Sequence, residues 1–583
     1  MLKAISFKRV LVFLMAVLML VSAAACGNTP SEAVDSDSAV NTPDQSAANG
    51  TKEKLSMTIA WNEAWTNSST NKSWPTDIAS YIFEKTGVTF DINGMDDEKF
   101  KVLLAGGDLP DLLFLQNASY NKQLIEGNQI LPLDELVKSN GPDIQKNIPQ
   151  ALEMSKKFNG GKNGELYFLP NNVGDAPSGF KPAMGYVVRW DYYKELGNPQ
   201  FKDEMELLEI CADMQKKHPK TEEGKNVYAM GFHNEWANGL WAWKINCYRE
   251  GYSELPQAAY LIKNSDNSIA YNYMDTDSPF WKTLKLANKA NRMGLLDPDS
   301  FTMKVSDYNA KAKAGQYLTS SCLWWMQDFN GEQTKKDPNT DKGYVIVPVE
   351  GTSLMQGQVN NAGAGKMWAI SKNCQNPARA MDLINYFYSA DGARTVTSGV
   401  KGKHWDIVDG KPQFNAETLK ILTDPAMNDQ KDKIGFHGFY NLIGLGGAAI
   451  CEDGEIADLK STAQVLKANL TGVDKDFSEY YKVEYPGQLF DNLVKDGKMF
   501  DQSKAATDIN GLIGIQPDDI KVIDAKIDDL VMKNIPRIVL AKTDADYSAA
   551  QQKLIEDLKA AGYDKSAEFW TKQYNDTKAA IGK

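Results

Sequence analysis

Residues 88–115 read VTFDINGMDDEKFKVLLAGGDLPDLLFL and contain two strand patterns on either side of one helix pattern. Residues 88–92 alternate between apolar and polar side chains, as in a half-buried strand. Asp96-Asp97 supplies helix N-cap chemistry, and Gly106-Gly107 predicts the end of that helix. The apolar run Leu112–Leu115 is typical of a strand that is covered on both faces.

The residues before this stretch repeat the same order of elements. Met57–Trp61 predicts a short strand, and the apolar spacing that follows predicts a helix that ends at Gly87. The order strand, helix, strand, helix, strand implies a doubly wound parallel sheet. Ligands bind beyond the carboxyl ends of such strands, so residues 62–65 and Asn117 are expected at the rim of a cleft.

The composition is that of a globular protein that can bury large cores. The chain has 583 residues, 42% of them hydrophobic and 24% charged, and a formal net charge of −12. The negative charge disfavours nucleic acid as a partner, and we expect none. At about 150 residues per domain, the length predicts three or four domains, or two large lobes.

The N-terminal residues predict export. Basic Lys3, Lys8 and Arg9 precede an apolar run, Val10–Val21, which is shorter than the roughly 20 residues that cross a bilayer. Three alanines then precede Cys26. This end resembles the lipobox of bacterial lipoproteins, with alanine where leucine is usual, and it implies a signal peptide over residues 1–25 and a diacylglycerol-bearing Cys26. The alternative is ordinary signal-peptidase cleavage and free secretion.

The segment after Cys26 predicts a tether. Residues 27–50 contain four acidic side chains but no basic or aromatic ones and no Leu, Ile or Phe, so they cannot contribute to a core. We therefore expect residues 26–54 to be a lipidated cysteine with a flexible linker, and residues 55–583 to fold.

Five motifs occur in a recognisable order along the chain. They lie at residues 84–111 (KTGV and LAGGDLPD), 164–170 (GELYFLP), 186–197 (YVVRWDYYKELG), 367–371 (MWAIS) and 399–405 (GVKGKHW). Together they resemble the extracellular solute-binding lipoproteins (family 1 type) of bacterial carbohydrate ABC importers, within the large oligosaccharide-binding subgroup.

The resemblance implies an α/β, two-lobed, periplasmic-binding-protein-like fold. Each lobe would be a doubly wound sheet, with the ligand cleft between the lobes and extra helices at the C-terminus. Lobe I would comprise about 55–180 and 367–400, and lobe II about 186–345 with much of 401–583. Independently of the resemblance, apolar residues at helical spacing predict helices over 523–539 and 547–562.

The same resemblance implies a non-enzymatic function. The protein would capture an oligosaccharide by hinge closure and deliver it to the transmembrane subunits of an ABC permease. It would act as a monomer on the extracellular face of a Gram-positive cell membrane, anchored through Cys26. No cofactor or metal is expected; Asp337, Asn339 and Asp341 begin like a calcium loop but lack its Gly and Glu, so we interpret them as a surface turn.

A sugar site combines flat aromatic rings with hydrogen-bonding side chains, because pyranoses have apolar faces and hydroxyl rims. The candidates that meet this criterion are Trp61, Asn62, Glu63, Trp65, Asn117, Arg189, Trp236, Trp241, Trp243, Trp325, His404 and Trp405. Tryptophan is also a core residue, and burial is the competing interpretation for each one; Trp324 and Trp368 are assigned to the core. Arg189 either pairs with a structural carboxylate or faces the ligand.

Two other functions remain open at this point. A secreted carbohydrate-active enzyme would need two carboxylates about 5–10 Å apart, and Glu452, Asp453 and Glu455 form a local acidic group. The same fold could also serve a peptide-binding or sensor lipoprotein. Nucleotide-binding, zinc-protease and serine-hydrolase motifs do not occur in the sequence, and the loose glycine pattern at 444–449 lacks the acidic residue of a dinucleotide site.

Overall fold

The structure is a computed structural model that describes residues 54–62, 76–116, 118–175, 178–235, 246–354, 362–363, 365–436, 442–502 and 516–580. The predicted signal peptide, Cys26 and almost all of the predicted tether lie outside these residues. Within the described ranges, no helix combines the length and apolar character needed to cross a membrane.

The strands form several small sheets. In chain order they are β1 (Leu55–Asn62), β2 (Val88–Met95), β3 (Leu112–Leu115), β4 (Leu169–Pro170), β5 (Met184–Arg189), β6 (Tyr252–Glu254), β7 (Tyr260–Lys263), β8 (Ser268–Tyr271), β9 (Thr319–Cys322), β10 (Tyr344–Val347), β11 (Ser353–Leu354), β12 (Met367–Ile370), β13 (Trp405–Val408), β14 (Lys411–Phe414) and β15 (Phe500–Asp501).

The helices occupy most of the remaining chain. In chain order they are α1 (Asp77–Thr86), α2 (Asp97–Gly106), α3 (Asn121–Glu126), α4 (Asp134–Asn140), α5 (Pro142–Asn147), α6 (Pro149–Asn159), α7 (Trp190–Glu195), α8 (Glu204–Lys217), α9 (Pro279–Arg292), α10 (Val305–Lys313), α11 (Gln327–Lys336), α12 (Pro377–Phe387), α13 (Ala390–Ser398), α14 (Ala416–Thr423), α15 (Asn428–Ile434), α16 (Ala463–Ala468), α17 (Gly472–Tyr481), α18 (Pro486–Lys495), α19 (Asp518–Val539), α20 (Asp544–Ala560) and α21 (Tyr563–Ala580).

The first sheet has the strand order β2-β1-β3-β12-β4. β1 pairs in parallel with β2, where Leu55 lies opposite Val88, and with β3, where Ile59 lies opposite Leu112. β12 arrives from far along the chain and pairs antiparallel with both β3 and β4. The predicted doubly wound order is confirmed for the parallel strands, because α1 connects β1 to its neighbour β2 and α2 connects β2 to β3 on the other side of β1.

Helices α1 and α2 begin and end at residues with capping chemistry. The Thr76 hydroxyl accepts a hydrogen bond from the backbone N–H of Ala79 at 3.1 Å, and the Asp96 carboxylate accepts one from Lys99 at 2.9 Å. Both helices end at a glycine in the left-handed conformation, Gly87 with φ 69° and Gly107 with φ 73°. The predicted stop positions are confirmed, because only glycine adopts this conformation without steric cost.

Replacing Gly87 by alanine is expected to lower the free energy of unfolding by about 1–2 kcal/mol, because a Cβ atom is strained in the left-handed region. Urea unfolding of the two proteins measures the change. Gly87→Asn is the matched control, since asparagine tolerates this conformation, and it should lose less stability. Equal stability of the alanine variant and the wild type would contradict the explanation.

The second sheet has the order β10-β5-β9, and β5 pairs antiparallel with both neighbours. Parallel pairing continues beyond it as isolated bridges, between Tyr228 and Tyr317 and between Met230 and Leu296. The predicted α/β architecture holds in this half of the chain, but its named strands differ from a purely parallel sheet. The reason is that β5, which follows the first sheet in the chain, runs opposite to both β9 and β10, and the parallel contacts are made by the unnamed segments beside them.

Two large hydrophobic cores account for most of the buried apolar side chains. One covers the first sheet and includes Ile59, Trp368 and, from later in the chain, Phe414. The other joins the β5 region to the C-terminal helices and includes Trp190 and Trp570. The buried apolar residues from 405 to 465 belong to the first of these cores, whereas most of those from 473 to 574 belong to the second; Phe490 and Met499 belong to a smaller cluster with Tyr344.

The predicted C-terminal helices are confirmed as α19 and α20, and α21 follows them. A buried carboxylate joins α19 to α21, because Asp524 accepts hydrogen bonds from the Trp570 indole N–H at 2.9 Å and from the Ser566 hydroxyl. Burial raises the pKa of Asp524, although these two donors oppose the rise. The C-terminal helices are therefore an integral part of the second core.

Candidate functional site

The carboxyl ends of β1, β2 and β3 carry a polar group of side chains, Asn62, Asp97, Lys101 and Tyr120, which we call the first-sheet edge. The Tyr120 hydroxyl donates a hydrogen bond to the Asp97 carboxylate, and the Lys101 Nζ lies 2.9 Å from Asp97 Oδ2. Burial alone would raise the pKa of Asp97, but hydrogen bonds from Tyr120, Lys101 and Asn62 lower it below its usual range. Asp97 is therefore an ionised acceptor at the position where ligands bind in such sheets.

The structure places Trp61 in the first core. Its side chain is 1% exposed, and its ring meets Phe114 edge to face at 5.4 Å between centroids. Side chains alternate between the two faces of a strand, so Trp61 shares its face with Ile59 and not with Asn62. The sequence allowed Trp61 to be a ligand-site residue or a core residue, and its contacts in this structure are those of a core residue.

The second sheet presents a pocket at the corresponding edge. The segments around Tyr228–Met230 pair in parallel with those around Leu296 and Tyr317, and a pocket lies where they end. We call it the second-sheet pocket, and the residues that line it are Glu204, Leu207, Leu208, Met230, Gly231, Phe232, His233, Asn246, Arg249, Thr283, Leu286, Tyr308, Thr319, Ser320, Ser321 and Trp325.

One wall of this pocket is aromatic. The half-buried Trp325 ring lies 5.1 Å from the Tyr308 ring at 68° and 5.5 Å from the His233 ring at 87°. Tyr308 in turn stacks on Tyr317 at 4.9 Å with an angle of 18°. These edge-to-face contacts hold the Trp325 ring in place at the pocket.

The aromatic wall is attached to a buried carboxylate. The Asp297 side chain, which is 0% exposed, accepts a hydrogen bond from the Tyr317 hydroxyl at 2.9 Å. It also pairs with Lys311 Nζ at 2.8 Å. Asp297 therefore holds both the strand segment that ends at the pocket and helix α10, which carries Tyr308.

The opposite wall is polar. Arg249 pairs with Glu204 at 2.6 Å and donates a further hydrogen bond to the Asn246 side-chain oxygen. The guanidinium carbon lies 4.1 Å from the centroid of the Tyr186 ring, a cation–π contact. With the hydroxyls of Thr319 and Ser320 nearby, the pocket combines aromatic surface and hydrogen-bonding groups, as recognition of a hydroxylated ligand requires.

Arg189 has a structural role in this structure. Its guanidinium binds both oxygens of Asp191, at 2.5 and 3.0 Å, and lies 4.4 Å from the ring centroids of Tyr192 and Phe329. Burial opposes ionisation, but the Asp191 charge and hydrogen bonds raise the pKa of Arg189 above its usual range. The sequence allowed Arg189 to pair with a structural carboxylate or to face the ligand, and its contacts in this structure are those of carboxylate pairing.

His404 and Trp405 are buried beside the first core. His404 Nδ1 accepts a hydrogen bond from the Val400 N–H at 2.9 Å, so its proton lies on Nε2, 3.1 Å from Asp77 Oδ2. The Trp405 indole donates to the Gly399 carbonyl at 2.9 Å. These contacts join helix α1 to the segment after α13, away from the second-sheet pocket.

Substituting His404 by glutamine is expected to reduce the loss of stability at low pH. Burial lowers the pKa of His404, so the folded protein keeps the imidazole neutral while the unfolded chain binds a proton below about pH 6.5. The free energy of unfolding should therefore fall as the pH drops from 7.5 to 5.5, and this fall should be smaller in the glutamine variant.

Urea unfolding of the wild type and the glutamine variant at both pH values measures this contribution. Glutamine can accept with its oxygen and donate with its nitrogen, but it does not titrate. An identical pH dependence in the two proteins would show that His404 titrates alike in the folded and unfolded states.

Several predicted site residues lie outside the described part of the chain: Glu63, Trp65, Asn117, Trp236, Trp241 and Trp243. They remain predictions. The predicted calcium-like turn is closed by protein contacts, since Asp337 accepts from the Asn339 N–H at 2.9 Å and Asp341 pairs with Lys194 at 3.1 Å. Among the described residues, no group of three or more His, Cys, Asp or Glu side chains is placed to hold a metal ion.

Sequence reasoning missed Tyr120, Asp97, Tyr308, Arg249 and Glu204. Asp97 follows β2 and Tyr120 follows β3, so the rule that ligands bind at the carboxyl ends of parallel strands could have identified both. Tyr308 and Glu204 lie on helices α10 and α8. Nothing in the local sequence of these two residues or of Arg249 distinguishes them from ordinary surface or core residues.

Comparison with solved structures shows where the fold occurs elsewhere. The alginate-binding protein AlgQ2, in a crystal structure without calcium ion, is 17% identical with a TM-score of 0.59, covering 90% of this chain and 99% of that one. An HMO-binding solute-binding protein associated with an ABC transporter of Bifidobacterium longum infantis is 15% identical with a TM-score of 0.58, covering 90% and 99%. The S. pneumoniae ABC-transporter substrate-binding protein FusA, in complex with kestose, is 14% identical with a TM-score of 0.56, covering 90% and 100%.

These similarities confirm the two-lobed, periplasmic-binding-protein-like fold. A comparison with curated protein sequences found no match. The sequence profile of the family described as "Bacterial extracellular solute-binding protein" matches residues 64–394, which is more than half of the chain. The protein therefore belongs to the bacterial extracellular solute-binding protein family.

Proposed function

We propose that the protein is the substrate-binding component of an ABC importer and that it captures an oligosaccharide between its two lobes. The observation that carries the proposal is the second-sheet pocket, which Trp325 lines together with hydrogen-bonding side chains such as Arg249 and Ser320. Three of the similar structures are of proteins that bind alginate, HMO and kestose. Carbohydrate is therefore the ligand class that fits both the residues and the relatives.

The two cores support a division into lobes. We assign lobe I to about 55–180 and 367–465, and lobe II to about 186–345 with 473–583, because most buried apolar side chains of these segments belong to the corresponding core. This moves residues 401–465 into lobe I. The ligand would lie between the first-sheet edge and the second-sheet pocket.

Closure would occur about the connections between the lobes. The segments from β4 to β5 and from β10 to β12 contain glycines with positive φ, Gly179 at 88° and Gly363 at 87°. Hinges are a few loop residues that absorb changes in backbone angles. A ligand favours closure only if it binds the closed state more tightly, so it must contact both lobes.

Anchoring follows from the N-terminal sequence. We propose that the signal peptide is removed before Cys26, that lipid on Cys26 holds the protein at the extracellular face of a Gram-positive membrane, and that residues 27–54 act as a tether. A monomer would then present the closed complex to the permease subunits. Detergent partitioning of wild type and Cys26→Ala, expressed in a Gram-positive host, tests this, because only the wild type should enter the detergent phase.

The enzymatic alternative gains little from the acidic group at 452–455. Asp453 pairs with Arg394 at 2.9 Å. Burial raises the pKa of Asp453, but the Arg394 hydrogen bonds and charge outweigh this and lower it. A glycosidase acid must instead hold its proton near neutral pH. Incubating any oligosaccharide that binds and analysing it for cleavage products should show no turnover.

The direct test of the proposed function is a thermal-shift screen of residues 51–583 against plant, algal and host oligosaccharides, with peptides as the comparison set. A ligand at 100 times its dissociation constant adds about 2.7 kcal/mol of apparent stability, which raises the melting temperature measurably. Stabilisation by a peptide but by no glycan would replace the carbohydrate function with the peptide-binding one.

A further inference from the structure

The connection from β4 to β5 is held by hydrogen bonds at both of its ends. On the lobe I side, the Val173 N–H donates to the Gly444 carbonyl at 2.9 Å. On the lobe II side, the Ala183 carbonyl accepts from the Leu323 N–H at 2.8 Å. Gly179 lies between these two points, with φ 88°. A change in the angle between the lobes is therefore absorbed by backbone angles in the stretch that contains Gly179.

The connection from α16 to α17 is much shorter. The Asn469 N–H still donates to the Val465 carbonyl of α16 at 2.9 Å. The Thr471 hydroxyl already accepts from the Asp474 N–H as the N-cap of α17, a helix of the second core. In this connection, the backbone angles that can change are therefore those of residues 469–471.

The two connections are joined on the lobe II side. The Lys181 Nζ donates to both carboxylate oxygens of Asp474, at 2.9 and 2.8 Å, and the Asp474 side chain is 3% exposed. The same carboxylate accepts from the Thr471 hydroxyl at 2.7 Å. Charge-assisted hydrogen bonds to a buried acceptor are strong, so Lys181 and Thr471 move together with lobe II. Both connections therefore bend on the lobe I side of Asp474.

Gly179 is contacted from both lobes. A Cβ atom at Gly179 would lie 3.1 Å from Cδ1 of Leu466 on α16, a helix whose Val465 belongs to the first core. From lobe II, a Cβ atom at Gly487 would overlap the Gly179 carbonyl oxygen. Gly487 lies in the first turn of α18, and its φ is not in the left-handed region. The close approach of Gly179, and not the backbone conformation, therefore requires glycine at position 487.

An ion pair connects the lobes next to this contact. The Lys467 Nζ on α16 lies 2.8 Å from Oε2 of Glu484, which lies just before α18. The two side chains are 46% and 57% exposed, so dissolved salt screens their attraction. The pair is formed only while α16 and the start of α18 keep their present distance.

From these contacts we infer that residues 178–180 and 469–471 form one pivot between the lobes, which turns in contact with Gly487 of lobe II. The Lys467–Glu484 pair spans this pivot and stabilises the interlobe arrangement of this structure. The inference rests on the proposed lobe closure and names the residues that control it. Substitutions at Gly487 and Glu484 should therefore change the relative position of the lobes without disturbing either core.

The distance between the lobes tests the inference in protein without ligand. Residues 52–583 form one compact unit, so the measurement uses residues 51–583. Lys138→Cys on α4 and Lys216→Cys on α8 carry spin labels, since both lysine side chains are 75% exposed. The half-buried Cys451 is replaced by serine; the other cysteines of the described ranges are buried. Double electron–electron resonance then gives the distribution of interlobe distances.

Gly487→Ala should displace this distribution, because its Cβ atom pushes the Gly179 backbone away. Gly331→Ala is the matched control: a Cβ atom at Gly331, on α11 of lobe II, meets nothing within 4 Å, so the distribution should not change. Circular dichroism checks that both variants are folded. A wild-type distribution in folded Gly487→Ala would overturn the pivot.

Glu484→Gln changes only an exposed side chain, so its result does not depend on how well Gly487→Ala folds. It should lower the ratio of molecules at the interlobe distance of this structure to all others by about two- to fivefold, and high salt should do the same in the wild type. Glu350→Gln is the matched control, because Glu350 pairs with Lys498 at 2.8 Å within lobe II. An unchanged ratio in Glu484→Gln, or an equal change in Glu350→Gln, would overturn the role of the pair. Failure of every glycan in the thermal-shift screen would instead overturn the proposed function, because these distances are measured without ligand.

Discussion

Replacing Asp297 by alanine is expected to lower the free energy of unfolding by about 3–5 kcal/mol, the cost of removing one member of a buried ion pair. The carboxylate is fully buried and accepts from Lys311 Nζ at 2.8 Å and from the Tyr317 hydroxyl at 2.9 Å. Its loss leaves the buried Tyr317 phenol without its acceptor and leaves the Lys311 ammonium group with the exposed Asp299 as its remaining carboxylate. Urea unfolding monitored by circular dichroism measures the change.

Asp299→Ala is the matched control, because Asp299 also lies 2.8 Å from Lys311 Nζ but its side chain is 61% exposed. Its loss should cost less than about 1 kcal/mol. Asp297→Ala should in addition weaken ligand binding, since Tyr317 supports Tyr308 and through it Trp325. Similar stability losses in the two variants would mean that burial does not strengthen the Asp297 interactions.

Truncating Trp325 to alanine is expected to weaken oligosaccharide binding by at least about 30-fold, which corresponds to the 2 kcal/mol or more typical of a central aromatic contact. The ring supplies the flat apolar surface of the second-sheet pocket, and Tyr308 and His233 hold it in place by edge-to-face contacts. Isothermal titration calorimetry with a glycan found in the thermal-shift screen gives the affinity of both proteins.

Tyr271→Ala provides the comparison for this variant. Tyr271 is an aromatic residue of the second core region that is 39% exposed and does not line the pocket, so its removal should leave the affinity unchanged. Unchanged affinity in Trp325→Ala would place the sugar elsewhere, for example against the predicted tryptophans at 236, 241 and 243. Closure measured by small-angle scattering should weaken together with affinity, because both depend on contacts with the two lobes.

The first sheet was predictable because its signals are local. Alternation at 88–92, the cap at Asp96 and the glycines at 87 and 107 each act within a few residues, and the structure shows these elements at the predicted positions. The family resemblance predicted that residues 367–400 return to lobe I, but the place of β12 between β3 and β4 was not predicted, since pairing between such distant segments leaves no local signal. The antiparallel pairing of β5 was not predictable from its own apolar run, which suits either direction.

The candidate site was less predictable than the fold. The sequence drew attention to Trp325 through its aromatic neighbours, but the same criterion selected Trp61, His404 and Trp405, which are buried in this structure. Aromatic side chains serve cores and sugar sites equally, and the strand face or helix face that each occupies decides between these roles. Arg249 and Glu204 are 45 positions apart in the chain, and only the packing of their helices brings them together.

By itself, the sequence determined the α/β class, the order of elements and the helix ends of the first sheet, and the C-terminal helices, because periodicity, capping and the left-handed glycine depend on near neighbours. Only the tertiary structure decided which aromatic rings are covered, which carboxylate neutralises Arg249, and that residues 405–465 share a core with the first sheet. These are properties of distant segments in contact. Burial and charge compensation arise from that contact and not from the order of residues along the chain.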